Sequence, residues 1–278
     1  MTATHRAASA VPALTHFAGR AGDHNDRAMT GSQVVAAGLA ARFGAEPAVI
    51  GEPRPALSVG WAEELAAALP EMQAMSRRYE QLLADGGVPV TALSRCSVAL
   101  ATLPRIAAHR PDAVVVWFDA HADLNTPQTS PSGYLGGLAL SGPLGLWDSG
   151  LGSGLRPENA VLVGARDIDP PEQRLLDRGE IGLVRVGDGL PAELRRAIAG
   201  RPVYVHLDCD VLEPGIVPTD YLVPGGLSLA ELHRAAEVLA ESEVVGVEIG
   251  EFESDSEASP ATPIIDALEP ILRAVQRL

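Results

Sequence analysis

Asp119, His121 and Asp123 stand two residues apart within WFDAHADLN (117–125), directly after the apolar run AVVV. Carboxylate oxygens and an imidazole are ligands for a divalent first-row metal ion. If the extended geometry of the preceding strand continues through them, its two-residue alternation puts all three on one face. A second apolar run, PVYVHLDCDVLEP (202–214), ends in the same way with Asp208 and Asp210. Carboxylates with a single imidazole suit Mn²⁺ or a related ion better than Ca²⁺ or a structural Zn²⁺. Five ligands are too many for one small ion that keeps a position open for water, and about right for two ions that share carboxylates. The pattern predicts a dinuclear metallohydrolase. A single Asp at a strand end is ordinarily a helix cap or turn former. Two clusters at matched spacing would repel strongly unless a cation lay among them.

Other reactive side chains fall into place around this pattern. Cys209 lies between Asp208 and Asp210, so alternation points it to the opposite face as a small buried hydrophobe. Cys96 opens a helix expected at 97–109, where the helix N-terminus and Arg95 would lower its pKa, although composition alone favours a core thiol. His206, two residues before Asp208, falls on the ligand face and is expected to support a ligand rather than to be one. His16, His24, His109 and His233 have no evident partners and read as structural or exposed.

The elements that must position these groups alternate between apolar strand-like runs and longer helical patterns. Strands are expected at 11–17, 47–51, 113–118, 161–165, 182–186, 202–207 and 244–249. Helices are expected at 32–43, 61–84, 97–109, 191–199, 228–241 and 262–277, with Ser97 capping the third and Ser228 the fifth, the latter with Glu231 in a capping box. This order predicts an α/β fold with a mainly parallel sheet covered by helices on both faces. Both carboxylate clusters then fall at carboxyl ends of strands, where such sheets bind ligands. The Gly-, Pro-, Ser- and Thr-rich stretch 125–157 is too long for an ordinary connection, and loops of that length are usually functional. No repeat or linker interrupts the pattern, so one domain spanning 1–278 is expected.

The chain has 278 residues, enough for a large core, and a formal net charge of −15. That charge disfavours nucleic acid and anionic membranes as partners. Two cysteines provide no disulfide framework, the N-terminal segment lacks the apolar run of a signal peptide, and no stretch of about 18 apolar residues is present. A cytoplasmic protein is expected, with a homo-oligomer left open.

The motifs resemble those of the arginase family, the ureohydrolases, from about residue 90 to 255. DAHADLNTP resembles the family's DAHxD segment, and LDCDVLEP its DxDxxDP segment, with Glu213 in place of the last Asp. The resemblance implies a three-layer arginase-like fold. It also implies two Mn²⁺ per chain, held by Asp119, His121, Asp123, Asp208 and Asp210. Glu251, in VEIGEFES, falls where the family's guanidinium-binding glutamate lies. Asn125 and Ser132 occupy positions that hold the substrate α-carboxylate in arginases proper, and ARDIDPPE places Asp169 and Glu172 where the α-amino group is held. A small guanidino amino acid is therefore the implied partner.

Two departures from the family pattern bear on the reaction. Its first metal-binding segment, GGDHS, reads LSRCS, so Cys96 takes the place of a metal-binding His. Its NLHG segment reads YLGG, so Gly136 takes the place of a His thought to shuttle protons. With the flanking CSVALATLP and LSGPLGLWDSG, these departures resemble a branch of the family that serves antibiotic biosynthesis. That branch hydrolyses Nω-hydroxy-L-arginine to hydroxyurea and L-ornithine. The implied mechanism assigns proton transfer to Asp123 and pairing with the guanidino group to Glu251, with Gly136 making room for an N-hydroxyl. Two other readings stand beside it. An arginase or other guanidino-acid hydrolase would be expected to carry a His near Gly136. A non-catalytic guanidino-binding protein would have no need of five intact metal ligands.

Overall fold

Short Val-rich runs build the centre of the molecule. The computed structural model describes residues 12–255 and 261–276. Its strands are β1 (Pro12–Phe17), β2 (Ala48–Ile50), β3 (Val88–Ala92), β4 (Val114–Phe118), β5 (Ala160–Val163), β6 (Gly182–Val184), β7 (Val203–Asp208) and β8 (Val244–Gly250). They form one sheet in the order β2-β1-β3-β8-β7-β4-β5-β6, and every pairing is parallel. Strands β3, β4, β5, β7 and β8 are buried at every position, as strands covered on both faces must be.

The helices are α1 (Arg27–Phe43), α2 (Trp61–Ala84), α3 (Ala99–His109), α4 (Pro170–Leu176), α5 (Leu190–Ile198), α6 (Leu229–Leu239), α7 (Thr262–Ala267) and α8 (Glu269–Val275). Apolar side chains of α1, α5, α6, α7 and α8 pack on one face of the sheet, and those of α2, α3 and α4 on the other. This is the expected three-layer arrangement, with a sheet that is wholly rather than mainly parallel. Among the described residues no helix is long and apolar enough to cross a membrane.

Several expectations need correction. β3, a central strand, was not predicted, because Gly86, Gly87 and Pro89 argue against one. The fold admits Pro89 by leaving the neighbouring strand bare: a Cβ on Gly246 would lie 2.8 Å from Pro89 Cγ. α4 was also not predicted. It opens on Pro170 and Pro171 and is fixed by a capping box between Asp169 and Glu172. The single helix expected at 262–277 is two, α7 and α8, parted at Leu268 just ahead of Pro270, which cannot donate a helical hydrogen bond. Residue 277 of that helix and residue 11 of the first predicted strand lie outside the described residues. α1 starts at Arg27, earlier than expected. Ser228 and Glu231 form the predicted capping box, but Ser97 caps nothing: it sits in a 3₁₀ turn before α3 and donates to the carbonyl of Ala21.

The four central strands, β3, β8, β7 and β4, all point their carboxyl ends toward one rim. Cys96 follows β3, Glu251 follows β8, Asp208 ends β7, and Asp119 follows β4.

Candidate metal centre

Two groups of ligand atoms lie at that rim, each with all its atoms within 4.8 Å of one another: Asp119, His121 and Asp210 in one, Cys96, Asp208 and Glu251 in the other. In the first, His121 Nδ1 lies 3.2 Å from Asp119 Oδ1 and 3.0 Å from Asp210 Oδ2. Backbone amides brace the carboxylates. The His121 amide donates to Asp119 at 2.6 Å and the Ala120 amide to Asp210 at 3.0 Å, while the Trp117 indole donates to Asp119 at 2.9 Å. Burial works to lower the His121 pKa, but the bonds to Asp119 and Asp210 outweigh it and raise it far above the usual range.

In the second group the Cys96 thiol donates to Asp208 Oδ2 at 3.1 Å, and the Asp210 amide donates to Asp208 Oδ1 at 2.8 Å. Glu251 Oε1 accepts the Cys96 amide at 2.8 Å and Oε2 accepts from Arg95 at 2.7 Å. Arg95 was expected to lower the Cys96 pKa. Its fully buried guanidinium instead serves Asp23 at 2.9 Å, Glu251, and Glu253 at 3.2 Å. The Cys96 thiol is pushed well up, by burial first and then by Asp208 and Glu251. His206 supports the thiol as anticipated: Nε2 lies 3.0 Å from Cys96 Sγ, Nδ1 lies 2.7 Å from Glu248, and the ring stacks on Trp117 with centroids 3.5 Å apart. Glu248 in turn accepts from Tyr204 at 2.7 Å and Thr102 at 2.9 Å. Cys209 packs into the apolar core of the other face, as its alternation predicted.

The donor set fits divalent cations. Burial raises the pKa values of Asp119, Asp123 and Asp208, and the neighbouring carboxylates raise them further. Charge of one sign concentrated out of water is what a metal ion would relieve. Asp123 belongs to neither group of three but lines the same pocket as His121, Asp208 and Asp210. Its φ is +53°, and that of Glu251 is +61°, a left-handed backbone that non-glycine residues adopt only where the surroundings impose it. The chain therefore leaves extended geometry before it reaches Asp123. The loop, not the strand pleat, aims that carboxylate.

The pocket, of about 210 Å³, continues outward past Asn125, Ser132, Asp169 and Glu172. Asn125 donates its amide to Asp169 at 2.8 Å and accepts from Thr129 at 3.0 Å. Ser132 is exposed at the mouth and accepts the Tyr134 amide at 3.2 Å. Both Glu172 oxygens are taken by backbone amides, those of Leu124 and Asp169, each at 2.8 Å. Its carboxylate thus fixes the segments that carry Asn125 and Asp169. The room that Gly136 was expected to leave is filled: a Cβ there would lie 2.3 Å from Cε1 of Tyr134.

Reading the sequence missed Tyr134, Tyr221, Asp167 and the structural part played by Arg95. Arg95 had a signal. Where LSRCS is laid on GGDHS, it replaces an acidic residue with a cation, and a buried cation next to a metal ligand needs carboxylates around it.

Acidic side chains, an imidazole and a thiol converge at the carboxyl ends of parallel strands, a donor set that could hold metal ions in an α/β protein. The sequence matches the Arginase family model over residues 34–267, and the chain belongs to the arginase family. It is thus a hydrolase of amidine or guanidino bonds from a metal-dependent family. It is 38% identical over 260 residues to the N(omega)-hydroxy-L-arginine amidinohydrolase of Streptomyces lavendulae, covering 92% of this chain and 95% of that one. To the arginase of Bacillus caldovelox it is 30% identical over 69% of this chain and 67% of the relative. In structure it resembles the arginase of Bacillus subtilis, with a TM-score of 0.80 at 22% identity over 94% of this chain and 98% of that one.

Proposed function

We propose that this protein hydrolyses Nω-hydroxy-L-arginine to hydroxyurea and L-ornithine. The observation that carries this reading is Cys96, placed among carboxylate ligands with His206 behind it, in a chain 38% identical to an amidinohydrolase of that substrate. Water adds to the guanidino carbon, the bond from that carbon to Nδ breaks, and Nδ leaves as the ornithine amine after taking a proton. Cys96, Asp119, His121, Asp123, Asp208 and Asp210 would hold two Mn²⁺, which when bound would make a water acidic enough to act as the nucleophile at neutral pH. Glu251 accepts guanidino N–H groups on the lone pairs that Arg95 and the Cys96 amide leave open, which fixes the angle of attack. Asp123, on the pocket wall, carries the proton to the departing Nδ. Asn125 and Ser132 bind the α-carboxylate. Asp169, oriented by the Asn125 amide, receives the α-amino group, and Glu172 holds both segments in place. The two unpaired, buried cysteines suit a single domain working in a reducing cytoplasm.

A substrate panel tests the proposal. With ornithine or putrescine release as the readout, hydroxyarginine should give the highest kcat/KM and L-arginine a lower one. Agmatine should be poor, because it leaves Asn125 and Ser132 without a carboxylate. Equal or better turnover of L-arginine would refute the reading.

A further inference from the structure

Tyr134 lines the pocket beside Cys96, Gly136 and Glu251, and its hydroxyl is buried with no hydrogen-bond partner among the described residues. The ring is held in place, 4.5 Å from His24 and 5.9 Å from Tyr221 between centroids. A side chain at Gly136 would start 2.9 Å from Cζ, the carbon that bears the hydroxyl. The phenol therefore stands where a side chain at 136 would otherwise grow. YLGG in place of NLHG is a paired change: bulk lost at 136 is regained from 134, and an imidazole is exchanged for a phenol.

We propose that the Tyr134 hydroxyl recognises the N-hydroxyl group of the substrate and makes the site selective for a hydroxyguanidine over a guanidine. This rests on the function proposed above. A phenol offers one donor and acceptor lone pairs, and leaving it buried and unpaired is costly. An N-hydroxyl can accept the phenol's proton and donate its own. A guanidinium carries only N–H donors, so with L-arginine bound the Tyr134 proton has no acceptor. A site that pairs a substrate hydroxyl rejects the analogue lacking it far more strongly than an apolar pocket could. Burial first, and then the Glu251 charge, raise the pKa of the phenol, keeping it protonated and able to donate.

Tyr134→Phe in the manganese-loaded enzyme is the test. The melting temperature should stay level or rise, because no protein hydrogen bond is removed. Hydroxyarginine kcat/KM should fall on the order of tenfold to a hundredfold, mainly through KM. The calorimetric Kd for L-ornithine should change less than about twofold, and kcat/KM for L-arginine should hold or rise, since the variant leaves no phenol proton unpaired beside a guanidinium. A marked drop in melting temperature, an equal fall for all ligands, or unchanged selectivity would each overturn the inference. If the unmodified enzyme itself shows no preference for hydroxyarginine, the function fails instead. Preference that survives Tyr134→Phe removes only the role of this residue.

Discussion

Asp119, His121 and Asp210 meet across two adjacent strands, β4 and β7, whereas Cys96, Asp208 and Glu251 are gathered from the ends of β3, β7 and β8. The first group contains its own basic side chain, since His121 lies between the two carboxylates. The second contains none. Its nearest cation is Arg95, which is shared among Asp23, Glu251 and Glu253 and reaches only Glu251 within the group. One half of the centre is thus nearly self-sufficient, and the other depends on a buried ion-pair network that metal ligands alone would not require.

The largest effect should come from removing the residue that links the halves. Asp208 accepts from the Cys96 thiol and from the Asp210 amide. Asp208→Ala should lower activity by roughly a thousandfold or more. Elemental analysis should show about two manganese ions per chain in the parent enzyme and a loss in the variant. Full metal content and activity in a folded Asp208→Ala protein would show that the halves act independently.

Next in size is the network under the second half. Arg95→Met strands Asp23 and Glu251 as buried charges, leaves Glu253 with Arg27 alone as its cation, and should cost about 3–5 kcal/mol in denaturant unfolding. Arg195, whose pair with Glu241 is exposed, provides the control: Arg195→Ala should leave the unfolding midpoint unchanged. Similar midpoints for the two variants would mean that Arg95 is not what holds the second half together.

The smallest effect sharpens the contrast between two buried thiols. Cys96 faces ligand atoms and Cys209 faces the apolar core. After chelation Cys96 should react with a thiol reagent about tenfold faster or more, while Cys209 stays slow with or without metal. Cys96→Ala should require more added Mn²⁺ for activity. Unchanged labelling of Cys96 would make it packing.

How far the sequence could be read follows the same division. DAHAD and LDCD expose the first half, because each motif carries its ligands at short local spacing, although the Ala120 amide that braces Asp210 lies 90 residues away from it. The expectation of strand alternation named residues that the fold brings to one rim, but for a partly wrong reason, since β4 ends at Phe118 and Asp123 takes a positive φ. In the second half, Cys96 and Glu251 emerged only through family resemblance, and their 2.8 Å contact spans 155 residues of sequence. No local pattern encodes such a contact. β3 hid behind Pro89 and two glycines, and what excuses them lies on β8, where Gly246 has no side chain to obstruct the ring. α4 hid behind two prolines that suit the first turn of a helix but in sequence read as a break. Tyr134 is a lone aromatic in a polar loop. Only in the folded chain is its hydroxyl buried and the notch at Gly136 filled by its ring.

The strand order also sets a timetable for synthesis. β3 and β4 are consecutive in the chain, yet β8 and β7 lie between them in the sheet. Cys96 leaves the ribosome 155 residues ahead of its partner Glu251, a gap of about 8–30 s at translation rates of ~5–20 residues per second. During that interval the thiol has neither Asp208 nor Glu251 beside it. Val90 must also wait for Val247 before the middle of the sheet can close. The group of Cys96, Asp208 and Glu251 can therefore close only near the end of translation, and its closure records whether the last strand of the sheet has arrived.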